Sequence, residues 1–416
     1  MRRLPVRAPA LWPALFLFVP DMASAAGFAL SDKSVSALGY AFAGTAAFAE
    51  DPSSLYNNPA GLAHLDGSRL SLAAHVIHSE ATYHEQNSNV AGPDTTDISS
   101  TTLAPNLYYM DAPTPDLRLG LGIYAPFGTF SDYDTDWRGR YHSLYTDLKA
   151  VNLSPAMALR VNDRFSVGAT VDVQYLDAEL RQAVDLGPLG DAQQTLSGDN
   201  VAVGFSLGFT WDASEATRLG AVYHSDVRHD IEGESDFSGV PASPFTAHLT
   251  DSGGRVTVHL PEVVSLSLAH RANPSLTLLA DATWTRWSRF QELRVSFDNG
   301  LPDAVSPQNW QDVWRFGLGL AWDVNERWRL RLGVSDEEGA VPDREHRAPR
   351  SPDGPRRMYA LGFNYARSDD FSLDVSYARV LLPDMGITAV DALNHRLEGE
   401  YDARSELLSV QGNWRF

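Results

Sequence analysis

From residue 67 to the carboxy-terminus, apolar side chains recur at every second position in run after run. Phe165, Val167, Ala169, Val171, Val173 and Tyr175 alternate with Ser166, Gly168, Thr170, Asp172 and Gln174. Val201, Val203, Phe205, Leu207, Phe209 and Trp211 do the same, as do Phe316, Leu318, Leu320 and Trp322. A period of two marks strands with one apolar and one polar face. Each run has about the 9–11 residues that a tilted membrane-spanning strand needs. The pattern predicts strands at 67–83, 99–111, 116–130, 146–161, 164–182, 198–212, 216–231, 253–271, 274–297, 309–324, 327–337, 355–367, 370–381 and 403–416. That is an even number, fourteen, as bacterial barrels require. Short turns such as Asn162-Asp163, Asn325-Glu326 and Ser368-Asp369 alternate with long loops such as 131–145, 232–252, 338–354 and 382–402. In an outer-membrane barrel the short turns face the periplasm and the long loops face outward. A soluble β-sandwich would account for neither this alternation nor the aromatics at strand ends, Trp211, Trp284, Trp322 and Trp328. The chain closes on Leu408, Val410, Gly412, Trp414 and Phe416 along one face, and a free terminal Phe suits the signal read by barrel-assembly machinery.

The first residues do not follow this pattern. Arg2, Arg3 and Arg7 precede a short apolar run interrupted by Pro9 and Pro13, and Ala23-Ser24-Ala25 offers small residues for cleavage. This predicts a secretory signal peptide over residues 1–25. No later segment holds the roughly 18 consecutive apolar residues of a spanning helix, so membrane passage falls to strands. The net charge of -20 argues against nucleic acid and anionic surfaces as partners. Absence of cysteine removes disulfides, thiol catalysis and Cys-based metal sites.

Residues 26–66 are rich in Ala and Gly, with Phe28, Leu30, Leu38, Tyr40 and Phe42 spread among them. Asp51-Pro52 and Asn58-Pro59 each read as a helix cap followed by Pro at the first helical position. A compact apolar segment ahead of the first strand needs burial, which the lumen of a fourteen-stranded barrel supplies. The sequence thus predicts a plug at 26–66 and a barrel at 67–416.

Several stretches now carry a resemblance. They are Ala26-Gly-Phe28, Asn58-Pro59-Ala60, Gly122-Ile-Tyr-Ala-Pro-Phe-Gly128, Trp137-Arg-Gly-Arg-Tyr141, Asn152-Leu-Ser-Pro155, Pro261-Glu262, Trp284-Thr-Arg-Trp-Ser288 and the Arg350-Ser-Pro-Asp353 to Arg357 segment. In this order the chain resembles the FadL-type outer-membrane transporters of long-chain fatty acids and other hydrophobic molecules. The resemblance implies an antiparallel transmembrane barrel with a plug, no enzymatic activity, no cofactor, and a kinked third strand that leaves a lateral gap. It also suggests Phe28 and Leu30 as lining of an internal pocket.

Individual residues then take candidate roles. Pro126 cannot donate a ladder hydrogen bond, so Pro126 and Gly128 are candidates for the lateral opening. Asn58, Pro59 and Ala60 are candidates for a hinge or latch in the plug as well as for a capped helix start. Arg329 and Arg331 face the lumen between Leu330 and Leu332; each is a candidate for a substrate carboxylate or for pairing with Asp323 or Asp374. Leu381, Leu382, Met385 and Ile387 in a long loop suggest an external capture groove. Tyr133, Trp137, Tyr141 and Tyr145 suggest a second wall or plain packing. His224, Asp226 and Arg228 are expected on the lumen face and His229 off it, and no nucleophile, base and orienting group follow from spacing. The expected protein is a monomer in the outer membrane, in contact with its lipid and lipopolysaccharide, that passively moves fatty acids or hydrocarbons. An outer-membrane lipid hydrolase and a diffusion porin for small solutes are the alternatives.

Overall fold

A computed structural model describes residues 27–30 and 33–416. The expected signal peptide and Ala26 lie outside the described residues. Fourteen antiparallel staves close into one barrel. They are β1 (Arg69–Glu85), β2 (Ser100–Asp111), β3 (Leu117–Asp132), β4 (Tyr145–Asn162), β5 (Phe165–Asp185) and β6 (Asp191–Asp212). Four staves run in two pieces each: β7 (Thr217–His224, Val227–Ser238), β8 (Ser252–Leu260, Val263–Asn273), β9 (Leu276–Thr285, Glu292–Phe297) and β10 (Ala304–Pro307, Val313–Asn325). The circle continues with β11 (Trp328–Glu337), β12 (Arg356–Ser368), β13 (Phe371–Leu381) and β14 (Arg396–Arg415). It closes where β1 pairs with β14 from Arg69↔Arg415 to Glu85↔Gly399.

The predicted alternation sets the two faces. Leu330 and Leu332 are exposed on the lipid side while Arg331 is buried inside. Trp314 and Trp322 both point outward from β10, with Trp284 directly across from Trp314. Their spacing is about 26 Å along the strand, comparable to the roughly 25 Å apolar band of such barrels. Trp211, Trp322 and Trp328 then mark the belt at the short-turn end.

Three sequence expectations change. The loop expected at 183–197 is instead a continuous hairpin, with β5 and β6 paired to Asp185↔Asp191. The segment Met385–Val390 pairs with β14 as a short strand. Finally, β7 breaks at Ser225 and Asp226, which reverses the alternation: His229 is buried inside and Arg228 points out, opposite to the expected faces. Ser225 holds the bulge through both backbone and side chain, its N–H donating to Phe205 O at 2.9 Å and its Oγ accepting from Phe205 N at 3.0 Å. The β6 register shifts by one residue across this break, and one extra residue moves every later side chain to the other face.

The amino-terminal segment lies inside the barrel. It contains α1 (Val35–Leu38), α2 (Ser54–Asn57) and a 3-10 turn at Pro59–His64. Ser34 caps α1, its Oγ accepting from Ala37 N at 3.2 Å. The wall makes room for this segment with glycine. A Cβ at Gly168 would lie 2.4 Å from Ala60 N, one at Gly208 1.9 Å from Asn58 Oδ1, one at Gly220 2.0 Å from Ala46 O, and one at Gly333 2.0 Å from Tyr40 O. Gly168 and Gly208 sit directly opposite each other on β5 and β6, so together they form a flat seat for Asn58-Pro59-Ala60.

Gly208→Ala should therefore leave the barrel closed but lift the plug from its seat, at a cost of about 1–3 kcal/mol. The expected readout is heat-resistant gel mobility like that of the parent, with new protease cleavage between residues 46 and 64. A plug as protected as the parent's would show that the seat tolerates a methyl group.

Candidate functional site

The wall is incomplete at one place. The ladder between β2 and β3 runs only from Asp111↔Leu119 to Leu107↔Ile123. Beyond it β2 stays paired with β1 as far as Ser79↔Ser100, and β3 stays paired with β4 as far as Asp132↔Tyr145. The separation begins where Ala125 and Pro126 interrupt the β3–β4 register between Tyr124 and Phe127. The freed edge of β3 is taken by the amino-terminal segment. Leu30 N donates to Pro126 O at 3.0 Å, Gly128 N donates to Phe28 O at 2.8 Å, and Ala29 bridges Phe127. Pro126 and Gly128 are thus brought together with Phe28 and Leu30 by direct backbone bonds.

Across the lumen, four neighbouring staves break. The gaps in β7 at 225–226, in β8 at 261–262, in β9 at 286–291 and in β10 at 308–312 let side chains enter that a regular ladder would hold in register. Trp287 comes from the β9 gap, in a 3-10 turn at Trp287–Arg289, and Trp310 from the β10 gap. Glu262 pins the turn, accepting from Arg286 at 2.8 Å and from Arg289 at 2.5 Å. The result is an aromatic cage around Phe28. Its ring meets Trp287 edge-on at 5.0 Å, Phe290 edge-on at 5.6 Å and Trp310 at 5.6 Å, the geometry aromatic pairs prefer. Phe127, on the gap side, reaches Trp287 at 6.4 Å. Gly27, at φ +60°, packs so closely that a Cβ would lie 2.5 Å from Trp310. The buried indole N–H groups of Trp287 and Trp310 find no acceptor among the described residues.

Beside the cage lies a cavity of about 130 Å³, lined by Ala29, Leu30 and Phe127 and by a polar set that includes Lys33, Tyr56, His224, Arg315, Glu337 and Arg356. Arg315 pairs with Asp281 at 2.7 Å, and Arg356 with Asp353 and Glu337. Lys33 differs. It is 8% exposed, its Nζ lies 4.8 Å over the Tyr56 ring, and it has no carboxylate partner among the described residues. Tyr56 stacks on His224 at 5.2 Å, whose Nδ1 meets Ser206 Oγ at 2.7 Å.

Arg329 and Arg331 do not reach this cavity. Arg329 bonds Glu50 at 2.5 Å and Asp323 at 2.6 Å, and Arg331 bonds Glu50 at 3.1 Å and Asp374 at 2.5 Å. Their guanidinium groups are satisfied by carboxylates of the wall, as one expectation had it, and also by Glu50 of the plug, which sequence spacing did not reveal. Asn58 is wholly buried. Its Nδ2 donates to Ala46 O at 2.6 Å, Phe209 O at 3.0 Å and Ala221 O at 3.3 Å, while its Oδ1 accepts from Ala60 N at 3.0 Å. One side chain thus caps the Pro59–His64 turn and ties the plug to β6 and β7.

The expected external groove does not form where it was placed. Met385 and Ile387 are buried among Tyr83, Trp137, Leu397 and Tyr401, because Met385–Val390 lies down as a strand on β14. Leu382 packs against the same cluster, and only Leu381 keeps substantial exposure. Tyr133 and Trp137 stack at 3.8 Å within it and serve packing, while Tyr141 of the same loop lines an open outer groove. An open groove of about 250 Å³ lies elsewhere at the long-loop end. The tip of the β5–β6 hairpin, Phe237, Leu249, Phe297, Leu301, Leu393 and His395 line it.

A closed barrel with aromatic belts, a folded plug in its lumen and a wall gap capped by the plug's own first residues defines an outer-membrane transport barrel. Residues 16–416 match the family described as outer membrane protein transport protein (OMPP1/FadL/TodX), and the chain belongs to it. The family consists of transport channels, not enzymes. The long-chain fatty acid transport protein of Escherichia coli K12 is 26% identical over 394 residues, covering 86% of this chain and 88% of that one. Outer membrane protein P1 of Haemophilus influenzae is 29% identical over 402 residues, with 86% of each chain covered. The crystal structure of a Pseudomonas aeruginosa FadL homologue superposes with a TM-score of 0.87 at 24% identity, covering 94% of this chain and 100% of that one. The Pseudomonas putida toluene transporter TodX gives 0.70 at 19%, covering 88% and 94%. These last two establish the fold.

Asn58→Ala removes three donated bonds and the turn's cap, each worth about 0.5–1.5 kcal/mol. The barrel ladder is untouched, so transport should fall more than barrel stability does. Equal losses of transport and of heat-resistant mobility would show that Asn58 serves the barrel as a whole.

Proposed function

We propose that this protein moves hydrophobic molecules passively across the outer membrane, and that they leave the lumen sideways between β2 and β3. The observation that carries this reading is the five-pair β2–β3 ladder, with its freed edge held by residues 28–30. Two backbone bonds and one caged ring are far easier to release than a ladder. The same three residues cap the gap and occupy the cage, so a solute that displaces Phe28 also loosens the cap.

In this reading the long-loop groove collects solute, and an apolar inner wall leads from it to the cage. Ile231, Val256 and Val295 line the upper wall, and Val258, Leu260 and Phe290 continue it downward. Burial of apolar surface at about 25 cal/mol per Å² supplies the affinity, and the concentration gradient supplies the direction. Neither ATP nor a cofactor is needed. The relatives carry fatty acids and toluene, and both classes suit an apolar wall. Lys33 adds a preference for solutes with an anionic head, because among the described residues it is the buried cation of the cavity with no carboxylate in ion-pair contact. Phe416, exposed at the short-turn end with its N–H donated to Ser68 O at 2.9 Å, serves assembly of a monomeric barrel and not transport.

Gly128→Trp places a large ring at the capped edge. Uptake should be abolished with heat-resistant mobility intact, and unchanged uptake by the folded variant rejects the lateral route. Lys33→Met should weaken binding of a fatty acid by about ten- to a hundredfold, the worth of a hydrogen bond to a charged group. Its effect on the matching neutral alcohol should be negligible. Equal loss for both would assign Lys33 to packing.

A further inference from the structure

The groove at the long-loop end has a polar rim that its apolar lining does not explain. His395 sits there between two carboxylates from different parts of the chain. Its Nδ1 lies 2.7 Å from Asp391 Oδ2 in its own loop, and its Nε2 lies 3.1 Å from Asp185 Oδ2 at the end of β5. Tyr141, from the loop between β3 and β4, stacks on the imidazole with ring centroids 4.0 Å apart and planes at 24°. From the same loop His142 Nε2 meets His395 O at 3.1 Å. One side chain thus joins three outer segments.

We propose that His395 is a pH-dependent latch: as a cation it clamps the turn 391–395 to the β5–β6 hairpin, and on losing its proton it releases that turn and opens the groove wall. A neutral imidazole donates from one nitrogen only, so it can satisfy one of the two carboxylates and must present a lone pair to the other. The cation donates to both. The latch follows from this geometry alone; only its effect on capture rests on the function proposed above.

The groups around His395 agree on the direction. Partial burial opposes its charge, but bonds and fields from Asp391 and Asp185 outweigh this and hold its pKa above the usual 6.5. The Asp185 carboxyl is held below its ordinary range, first by the Gly187 N–H and then by His395. Burial lowers the pKa of His142, so this second imidazole brings no competing charge at neutral pH. Behind the stack, Arg140 lies 4.7 Å from the Tyr141 ring and is neutralised by Asp191 at 2.8 Å, which also accepts from Tyr141 Oη. A raised folded pKa places the clamp's stability below the unfolded value of about 6.5 and removes it as pH rises through the folded value. On the acid side the bond to the β5–β6 hairpin is kept until Asp185 protonates, below the ordinary carboxylate range. The latch is therefore closed below the ordinary imidazole range and opens as the pH rises through the raised folded value.

The test uses the absence of native cysteine. Leu189 at the hairpin tip and Leu393 in the latched loop are both exposed, and cysteines introduced at these two positions take spin labels in the full barrel. The expected result is one narrow distance at about pH 6 that broadens and lengthens at about pH 9. His395→Gln, which lacks the charge, should be broad at both. Outer-loop changes leave the barrel ladder alone, and heat-resistant mobility verifies this. A wild-type distribution that does not change with pH overturns the proposal, as does a narrow one in His395→Gln. Nile red, a neutral apolar dye, separates the two readings. Binding that falls roughly tenfold as the distance broadens supports latch and capture together. Broadening with unchanged dye binding leaves the latch standing and rejects the groove as the capture surface.

Discussion

Inside a bilayer a backbone N–H or C=O without a partner costs several kcal/mol, and closure of the sheet exists to avoid that cost. Almost every stave here obeys, each paired on both sides. Between β2 and β3 the rule is met differently. Above Ile123 the two strands part, and the edge of β3 bonds to Phe28 and Leu30 of the plug. The amino-terminal segment is therefore part of the wall at this point as well as a filling of the lumen. Any movement of residues 28–30 uncovers the edge groups of β3 and withdraws Phe28 from its cage at once, because both events belong to the same three residues. Opening of the wall and occupancy of the cage are linked by covalent continuity, without a longer chain of contacts.

The plug is held very unevenly, and that unevenness fits this role. From Ala46 to Ala60 it is fixed by glycine seats, by the bonds of Asn58 and by Glu50 between Arg329 and Arg331. Breaking one partner of such a buried ion pair costs about 3–5 kcal/mol. Residues 28–30 are held by two backbone bonds and one ring. Local opening is drawn from the less stable parts of a fold, and the segment that caps the gap is held by fewer bonds than the body of the plug. The breaks in β7 to β10 lie across the lumen from the gap. They admit Trp287 and Trp310, which a regular ladder would have directed elsewhere.

The barrel was legible because strand periodicity is a local property repeated fourteen times. All six short turns lie where Asn, Asp and Pro clusters place them. What escaped were features that depend on a single inserted residue or on a distant partner. The bulge at Ser225 and Asp226 reverses His229 and Arg228, and nothing in an alternating run announces one extra residue. Met385 and Ile387 read as an exposed apolar patch because their burial comes largely from Tyr83 and Trp137, residues far away in the chain. Arg329 and Arg331 were placed correctly on the lumen face, yet their partner Glu50 belongs to the plug, whose position against β11 no spacing encodes. Gly168, Gly208, Gly220 and Gly333 did carry a readable signal. Glycine at lumen positions of otherwise regular strands marks close approach of another backbone. Pro126 with Gly128 was legible for the converse reason, since a missing donor is a property of one residue.

The choice of cation inside the lumen bears on what passes through it. Arginine holds the permanent pairs, Arg315 with Asp281, Arg329 and Arg331 with Glu50, Arg356 with Asp353. Its planar fork suits fixed carboxylates and is weakly hydrated, so it tolerates burial in a set geometry. Lysine is rare in this chain, at Lys33 and Lys149 only, and Lys149 is paired with Asp147 at 2.5 Å. Lys33 stands in the cavity over the face of Tyr56, where a ring quadrupole supports the charge without consuming its N–H donors. An ammonium on a flexible stem does not demand one planar geometry, so it can meet an anionic head at more than one depth. A pure hydrocarbon would leave that charge unsatisfied beside it, whereas an amphiphile would satisfy Lys33 with its head and reach the Phe28 cage with its tail. Under the proposed function the wall suits both, and the cation distinguishes them.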